Sequence, residues 1–137
     1  MPCAFAGDLR ESRRWLLAHR PARRIIVAMS GSSESHYLRQ ADRCLQDLLA
    51  RLDTFDPDEL EADLGGGVLK ISFADRRNCI INRQAPAQQI WMAEGATAWH
   101  FALDPANNTW IDTKGRGELR QILAGVLSQR LGRRIEL

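Results

Sequence analysis

Long hydrophobic runs are missing from this sequence. The longest uninterrupted apolar stretch, residues 25–29, is about five residues, against the roughly 18 to 20 needed to cross a bilayer. A soluble protein is therefore expected. Cysteine is scarce: Cys3, Cys44 and Cys79 are odd in number, widely spaced and never in a CxxC pattern. A disulfide framework and a thiolate zinc site are both disfavoured, and the expected role of Cys44 and Cys79 is that of small buried hydrophobes in a reducing compartment. Net charge is also small, +2, although 26% of the residues are charged and 45% are hydrophobic. That composition excludes a mostly disordered chain, a collagen-like chain and a highly basic DNA-coating protein. At 137 residues the chain has room for one domain.

Catalytic signatures are absent too. There is no GxGxxG, P-loop, GxSxG or HExxH segment, and His19, His36 and His100 lie far apart. No Glu-x-x-His pair is present to build a di-iron oxidase centre, so a ferroxidase is a poor fit, although weak activity of that kind is not excluded. The chain does not read as an enzyme.

The small net charge conceals three regions of opposite sign. Residues 1–28 carry +4, residues 29–63 carry −6 and residues 64–137 carry +4. The basic first region holds six arginines and no sustained amphipathic period, so no fold is expected over 1–28. Three readings compete: a nucleic-acid-binding arm, an Arg-rich organelle-targeting peptide, or a start placed upstream of a true beginning at Met29. The last is favoured, because a clean domain pattern begins directly after Met29.

Over that domain, 29–137, the periodicities are plain. Tyr37, Ala41, Cys44, Leu45, Leu48 and Leu52 recur at three- and four-residue steps, which predicts a helix over about 34–53. Ser32, Ser33 and Glu34 offer start chemistry and Asp56-Pro57-Asp58 a stop. From Glu61 the period becomes two. Strands are expected at 61–64, 68–73, 79–82, 89–93, 98–103 and 109–112, the first two joined through Gly65-Gly66-Gly67. Gly117-Glu118 opens a second helix with Leu119, Ile122, Leu123, Val126, Leu127 and Leu131 as its stripe and Gly132 as its end. The fold class is therefore α+β: a two-layer sandwich with both helices on one face of an antiparallel sheet of about six strands.

Two features point beyond architecture. Asp53, Asp56, Asp58, Glu59, Glu61 and Asp63 place six carboxylates in eleven residues with no base between them. Such clusters attract hard cations, but on a helix end and an edge strand they splay into solvent, so weak and poorly selective sites are expected. A solvated, edge-protecting charged face is the other reading of the same residues. Secondly, alternation turns Trp91 away from Ile90 and Met92. If those two face the helices, Trp91 stands on the open face with Asn82 and Gln84 at the same parity, as a protein-binding anchor. The other reading buries Trp91 in the core. His100, between Trp99 and Phe101, is expected to point outward, as a surface residue and a candidate contact.

Gly66-Gly67-Val68-Leu69, Ile80-Ile81-Asn82-Arg83-Gln84-x-Pro86, Gln89-Ile90-Trp91, Trp99-His100-Phe101 and Trp110 together resemble the frataxin family, most of all its bacterial, CyaY-type branch. The resemblance covers about 30–137. It implies an iron-binding accessory protein of iron–sulfur cluster assembly, acting as iron donor, as iron-dependent regulator of the cysteine desulfurase, or both. It implies Fe(II) and Fe(III) held weakly by Asp53, Asp56, Asp58, Glu59, Glu61 and Asp63, with Glu34 and His36 as outlying ligands. It further implies that Asn82, Arg83, Gln84 and Trp91 meet the desulfurase and the scaffold protein. A monomer with iron-dependent oligomers is expected, with no nucleic-acid or membrane partner. A bacterial cytoplasmic location is expected, or a mitochondrial one if the basic segment is a real targeting peptide. The sequence departs from the family pattern where 52–55 carries few acids, where Pro57 interrupts the acidic run, and where Ala85 and Trp99 replace an acid and a tyrosine. The same carboxylates would equally serve a metal-independent protein-interaction module.

Overall fold

In the computed structural model, residues 20–137 are described, with side chains from Ser33 onward. The chain divides into a unit ending at Ser35 and a larger unit, His36–Leu137. The element order is α1 (Arg20–Leu52), β1 (Leu60–Gly65), β2 (Val68–Phe73), β3 (Asn78–Gln84), β4 (Gln89–Glu94), β5 (Thr97–Asp104), β6 (Thr109–Asp112) and α2 (Leu119–Leu131), with one 3-10 turn at Ala85–Ala87. The expected strands and second helix are all present. Among the described residues no helix is long and apolar enough to cross a membrane.

The first helix differs from expectation at its start. It begins at Arg20, well before the predicted 34, so 20–28 are helical and Ser32, Ser33 and Glu34 lie inside a helix instead of capping it. Serine costs a helix interior only a few tenths of a kcal/mol, about half the penalty of glycine, and Pro21 falls in the first turn, where its missing N–H is harmless. Residues 1–19 of the basic extension lie outside the described residues. The helix ends at Leu52 before Pro57 is reached. Asp53, Thr54 and Phe55 close a turn on the carbonyls of Leu49, Arg51 and Leu52, and the Thr54 hydroxyl donates to Arg51 O at 2.6 Å.

The sheet is a simple meander, β1-β2-β3-β4-β5-β6, antiparallel throughout. Gly66 and Gly67 take φ of 59° and 78°, the left-handed pair that a two-residue hairpin needs to join twisted strands. Alternation then sorts the side chains. Leu69, Ile71, Cys79, Ile81, Ile90, Met92 and Phe101 are buried toward the helices. Tyr37, Ala41, Cys44, Leu45, Leu48 and Leu52 of α1 and Leu119, Leu123 and Leu127 of α2 complete this core. Burying a side chain of this size is worth about 1.5–3 kcal/mol. Tyr37 also donates its hydroxyl to Gln89 O at 2.6 Å, and its ring meets Trp110 edge-on.

Helix α2 begins and ends on chemistry visible in its residues. The Glu118 carboxylate accepts from Gln121 N, and Gly132 at φ 70° closes the last turn onto Ser128 O. Arg130 of its final turn donates to Glu94 of β4 and to Asp75 of the β2–β3 turn, with its guanidinium 5.6 Å from the Phe73 ring centre. The tail beyond turns back: Ile135 is buried and its N–H donates to Ser128 Oγ at 2.8 Å.

Candidate functional site

The acidic residues form an open ridge rather than a cage. Asp53 leaves the end of α1 exposed, and Asp56 and Asp58 stand exposed on the turn that follows. Asp56 Oδ1 accepts the Asp58 N–H at 2.9 Å, which fixes that turn locally. On β1 the alternation sends Leu60 inward and leaves Glu61 and Asp63 exposed, opposite Ser72 and Lys70 respectively. Asp53, Glu61 and Asp63 also line one cleft of about 440 Å³, together with Leu52, Phe55 and Ser72. Among the described residues, no three His, Cys, Asp or Glu side chains are close enough to hold one metal ion together. A hard cation there would therefore meet carboxylates singly or in pairs, each still solvated.

Glu59 is different from its neighbours. It is half-buried and accepts from Arg133 at 2.8 and 3.4 Å, with that guanidinium 5.7 Å from the Phe55 ring centre. Glu34 and His36 are exposed on α1, Glu34 in the unit that ends at Ser35. The acids left out of the sequence-derived ridge are committed elsewhere. Asp42 pairs with Arg83, and Asp47 lies 3.7 Å from Arg120.

The second surface is the helix-free face of the sheet. Ile90 and Met92 are buried and Trp91, between them, is half-buried on the opposite side, so Trp91 is not a core residue. Strand register sets Asn82, Trp91 and His100 in one row. The His100 ring stacks on Trp91 with centres 4.1 Å apart and planes 12° from parallel. The indole N–H donates to Gln89 Oε1 at 2.7 Å. Gln84 lies beside Gln89 in the same register, and the exposed Val68 and Ile111 extend the face on either side. From β3 to β6 the side chains on this face are amides, alanines, Ile80, Ile111, threonine and the Trp91–His100 pair, with Asp104 at one end. It is an aromatic and amide surface almost free of formal charge.

Arg83 does not belong to it. Period-two alternation that sends Asn82 and Gln84 to the open face sends Arg83 to the other, where it crosses Gly67 and binds Asp42 of α1. The family resemblance groups Asn82, Arg83 and Gln84, whereas alternation alone gives only Asn82 and Gln84 the parity of Trp91. Conversely, Gln89 was missed as a member of the face, although it shares the parity of Trp91.

Buried titratable groups lie outside both surfaces. Burial pushes the Cys44 and Cys79 thiols up to about 12, so neither is a nucleophile or a thiolate ligand at neutral pH. Asp112 is buried on the helix side of β6 and accepts from Arg116 Nε at 2.7 Å and from its backbone N–H at 3.0 Å. Hydrogen bonding to the Arg116 guanidinium holds its carboxyl down at about 2 against the opposing effect of burial.

A family model described as a frataxin-like domain matches residues 30–133. The iron–sulfur cluster assembly protein CyaY of Cupriavidus metallidurans is 38% identical over 104 residues, covering 73% of this chain and 91% of that protein. The protein of the same name from Dechloromonas aromatica is 39% identical over 105 residues, covering 76% and 97%. Among solved structures, a frataxin from Psychromonas ingrahamii superposes with a TM-score of 0.68 at 23% identity, covering 75% of this chain and 95% of that one. Trimeric yeast frataxin complexed with ferrous iron gives 0.61 at 26% identity, covering 69% and 87%.

Proposed function

The chain belongs to the frataxin-like family, and from that premise we propose that it is an iron-binding accessory protein of iron–sulfur cluster assembly. One observation carries the reading. A ridge of exposed carboxylates, Asp53, Asp56, Asp58, Glu61 and Asp63, that form no ion pair among the described residues sits at the edge of a sheet whose open face offers Trp91 and a field of amides. The ridge suits a hard cation that must be released again, since solvated single carboxylates bind weakly and let go quickly. The open face suits a protein, since an accessible tryptophan is among the side chains most often found as an anchor at interface centres. Together they fit delivery of iron to a docked desulfurase and scaffold, or sensing of iron while docked.

The test separates the two surfaces. Amide NMR of the protein is titrated with Fe(II), with Mg²⁺ as control. Selective broadening at 53–63 and 34–36 is expected, and it disappears when Asp56, Asp58, Glu59 and Glu61 become amides. Unchanged iron effects in that folded variant would refute the ridge assignment. Trp91→Ala is expected to keep the iron response and lose affinity for the desulfurase–scaffold complex.

A second reading, a metal-independent docking module, is favoured by one feature. Glu59 is already engaged by Arg133, and the remaining acids form no three-ligand group among the described residues. It predicts salt-sensitive binding to the desulfurase with no metal present.

A further inference from the structure

Three side chains share one row of the open face: Asn82, Trp91 and His100. The indole is held from two directions. Gln89 takes its N–H at 2.7 Å, and the His100 imidazole lies flat beside it at 4.1 Å. The only hydrogen-bond donor of the indole is thus used within the protein, and what an arriving partner meets is a pair of stacked rings. One of those rings is the type that changes charge between pH 5 and 8.

The charged groups around His100 are few. On the same strand, Asp104 lies beyond Ala102 and accepts from Ala106 N at 3.0 Å and Asn107 Nδ2 at 3.3 Å. Lys70, Glu61 and Asp63 lie on β2 and β1, with β3 and β4 between them and His100. On the loop after β6, Thr113 donates its N–H to His100 O at 2.8 Å, and the exposed Lys114 follows it. Arg116 is committed to Asp112 and to Ala98 O. No described element covers this face, and no carboxylate among the described residues pairs with His100.

We propose that the charge state of His100 sets the affinity of the open face for its protein partner, with the neutral imidazole as the docking form. This rests on the reading that Trp91 and its neighbours dock the assembly complex. Docking removes water from the stacked pair. A neutral imidazole on an indole loses little by this, whereas an imidazolium loses its hydration, finds no anion among the described residues to replace it, and gains no new attraction to the indole face it already stacks on. Docking therefore favours the neutral ring and weakens as the pH falls.

The affinity of the full chain for the purified desulfurase–scaffold complex is measured at constant ionic strength at about pH 8 and about pH 6, within the range over which imidazoles as a class change charge. Wild type is expected to lose about tenfold more affinity on acidification than His100→Phe, which keeps a stacked ring but carries no charge. His100→Gln, with circular dichroism to establish its fold, serves as the second uncharged variant and is expected to follow His100→Phe. Equal pH dependence in wild type and both variants, or tighter wild-type binding at the lower pH, overturns the proposal. If Trp91→Ala binds like wild type at pH 8, the docking-face reading itself fails and takes the proposal with it. If Trp91→Ala binds weakly while pH dependence ignores His100, only the proposal fails.

Discussion

Arg133 holds Glu59 across 74 positions of sequence, at 2.8 Å, and so the protein neutralises one carboxylate of its own acidic ridge. Arg133→Gln is expected to release that carboxylate and strengthen divalent-cation binding on the ridge. The stability cost should be small, because Arg133 is exposed and solvent screens the pair. Isothermal titration with a redox-inert divalent ion, beside thermal unfolding, checks both. Unaltered cation affinity would mean that Glu59 takes no part in the ridge.

Asp112 provides a pH signature. Its carboxyl sits at about 2 when folded, below the ordinary 3.8, because the Arg116 guanidinium bonds the charged form. A lowered folded value favours the native state once the unfolded chain has ionised. The contribution, about 2 kcal/mol, is thus complete above roughly pH 4 and lost as the pH falls through about 2. Asp112→Asn should be less stable at neutral pH and should show a shallower fall in stability between those limits. Parallel acid-unfolding profiles for the two proteins would count against the coupling.

Gly67 tests the hairpin. Its φ of 78° is strained for any L side chain, and an added Cβ would lie 2.5 Å from Arg83 Nε. Gly67→Ala should cost about 1–2 kcal/mol from the left-handed backbone alone. It should also displace Arg83 from Asp42. Denaturant unfolding measures the first effect. Comparison with Gly67→Ala in an Arg83→Ala background measures the second, and a penalty independent of Arg83 would remove the steric part.

The buried thiols give a chemical test. With thiols pushed up to about 12, Cys44 and Cys79 should resist alkylation at pH 8 for as long as the domain stays folded. In a Cys3→Ser background, mass spectrometry should find neither labelled before unfolding and both labelled after. Rapid native labelling of Cys79 would show that β3 opens locally.

Much of this was legible because burial imposes a period. The stripe from Tyr37 to Leu52 and that from Leu119 to Leu127 are buried where the spacing predicts, and the alternation through Ile90, Trp91 and Met92 assigns each to its face. The start of α1 was not legible, since Ser32 and Ser33 are as compatible with a helical turn as with a cap. The face of Arg83 is legible from alternation, since consecutive strand residues point to opposite sides, although the family motif groups it with Asn82 and Gln84. The Glu59–Arg133 and Glu94–Arg130 pairs have no local signal at all. They join residues 74 and 36 positions apart, and only the folded topology brings them together.

The order of the strands has a consequence for how this protein is made. Strands pair only with their neighbours in sequence, so each rung of the sheet can form as soon as the next strand leaves the ribosome, with only short loops to close. Yet Leu119, Leu123 and Leu127, which cover one part of that sheet, follow all six strands in the chain. Until they emerge, a nascent chain carries a nearly finished sheet with part of its inner layer still wet. The interval between β6 and α2 is thus when a growing chain is most exposed to wrong partners.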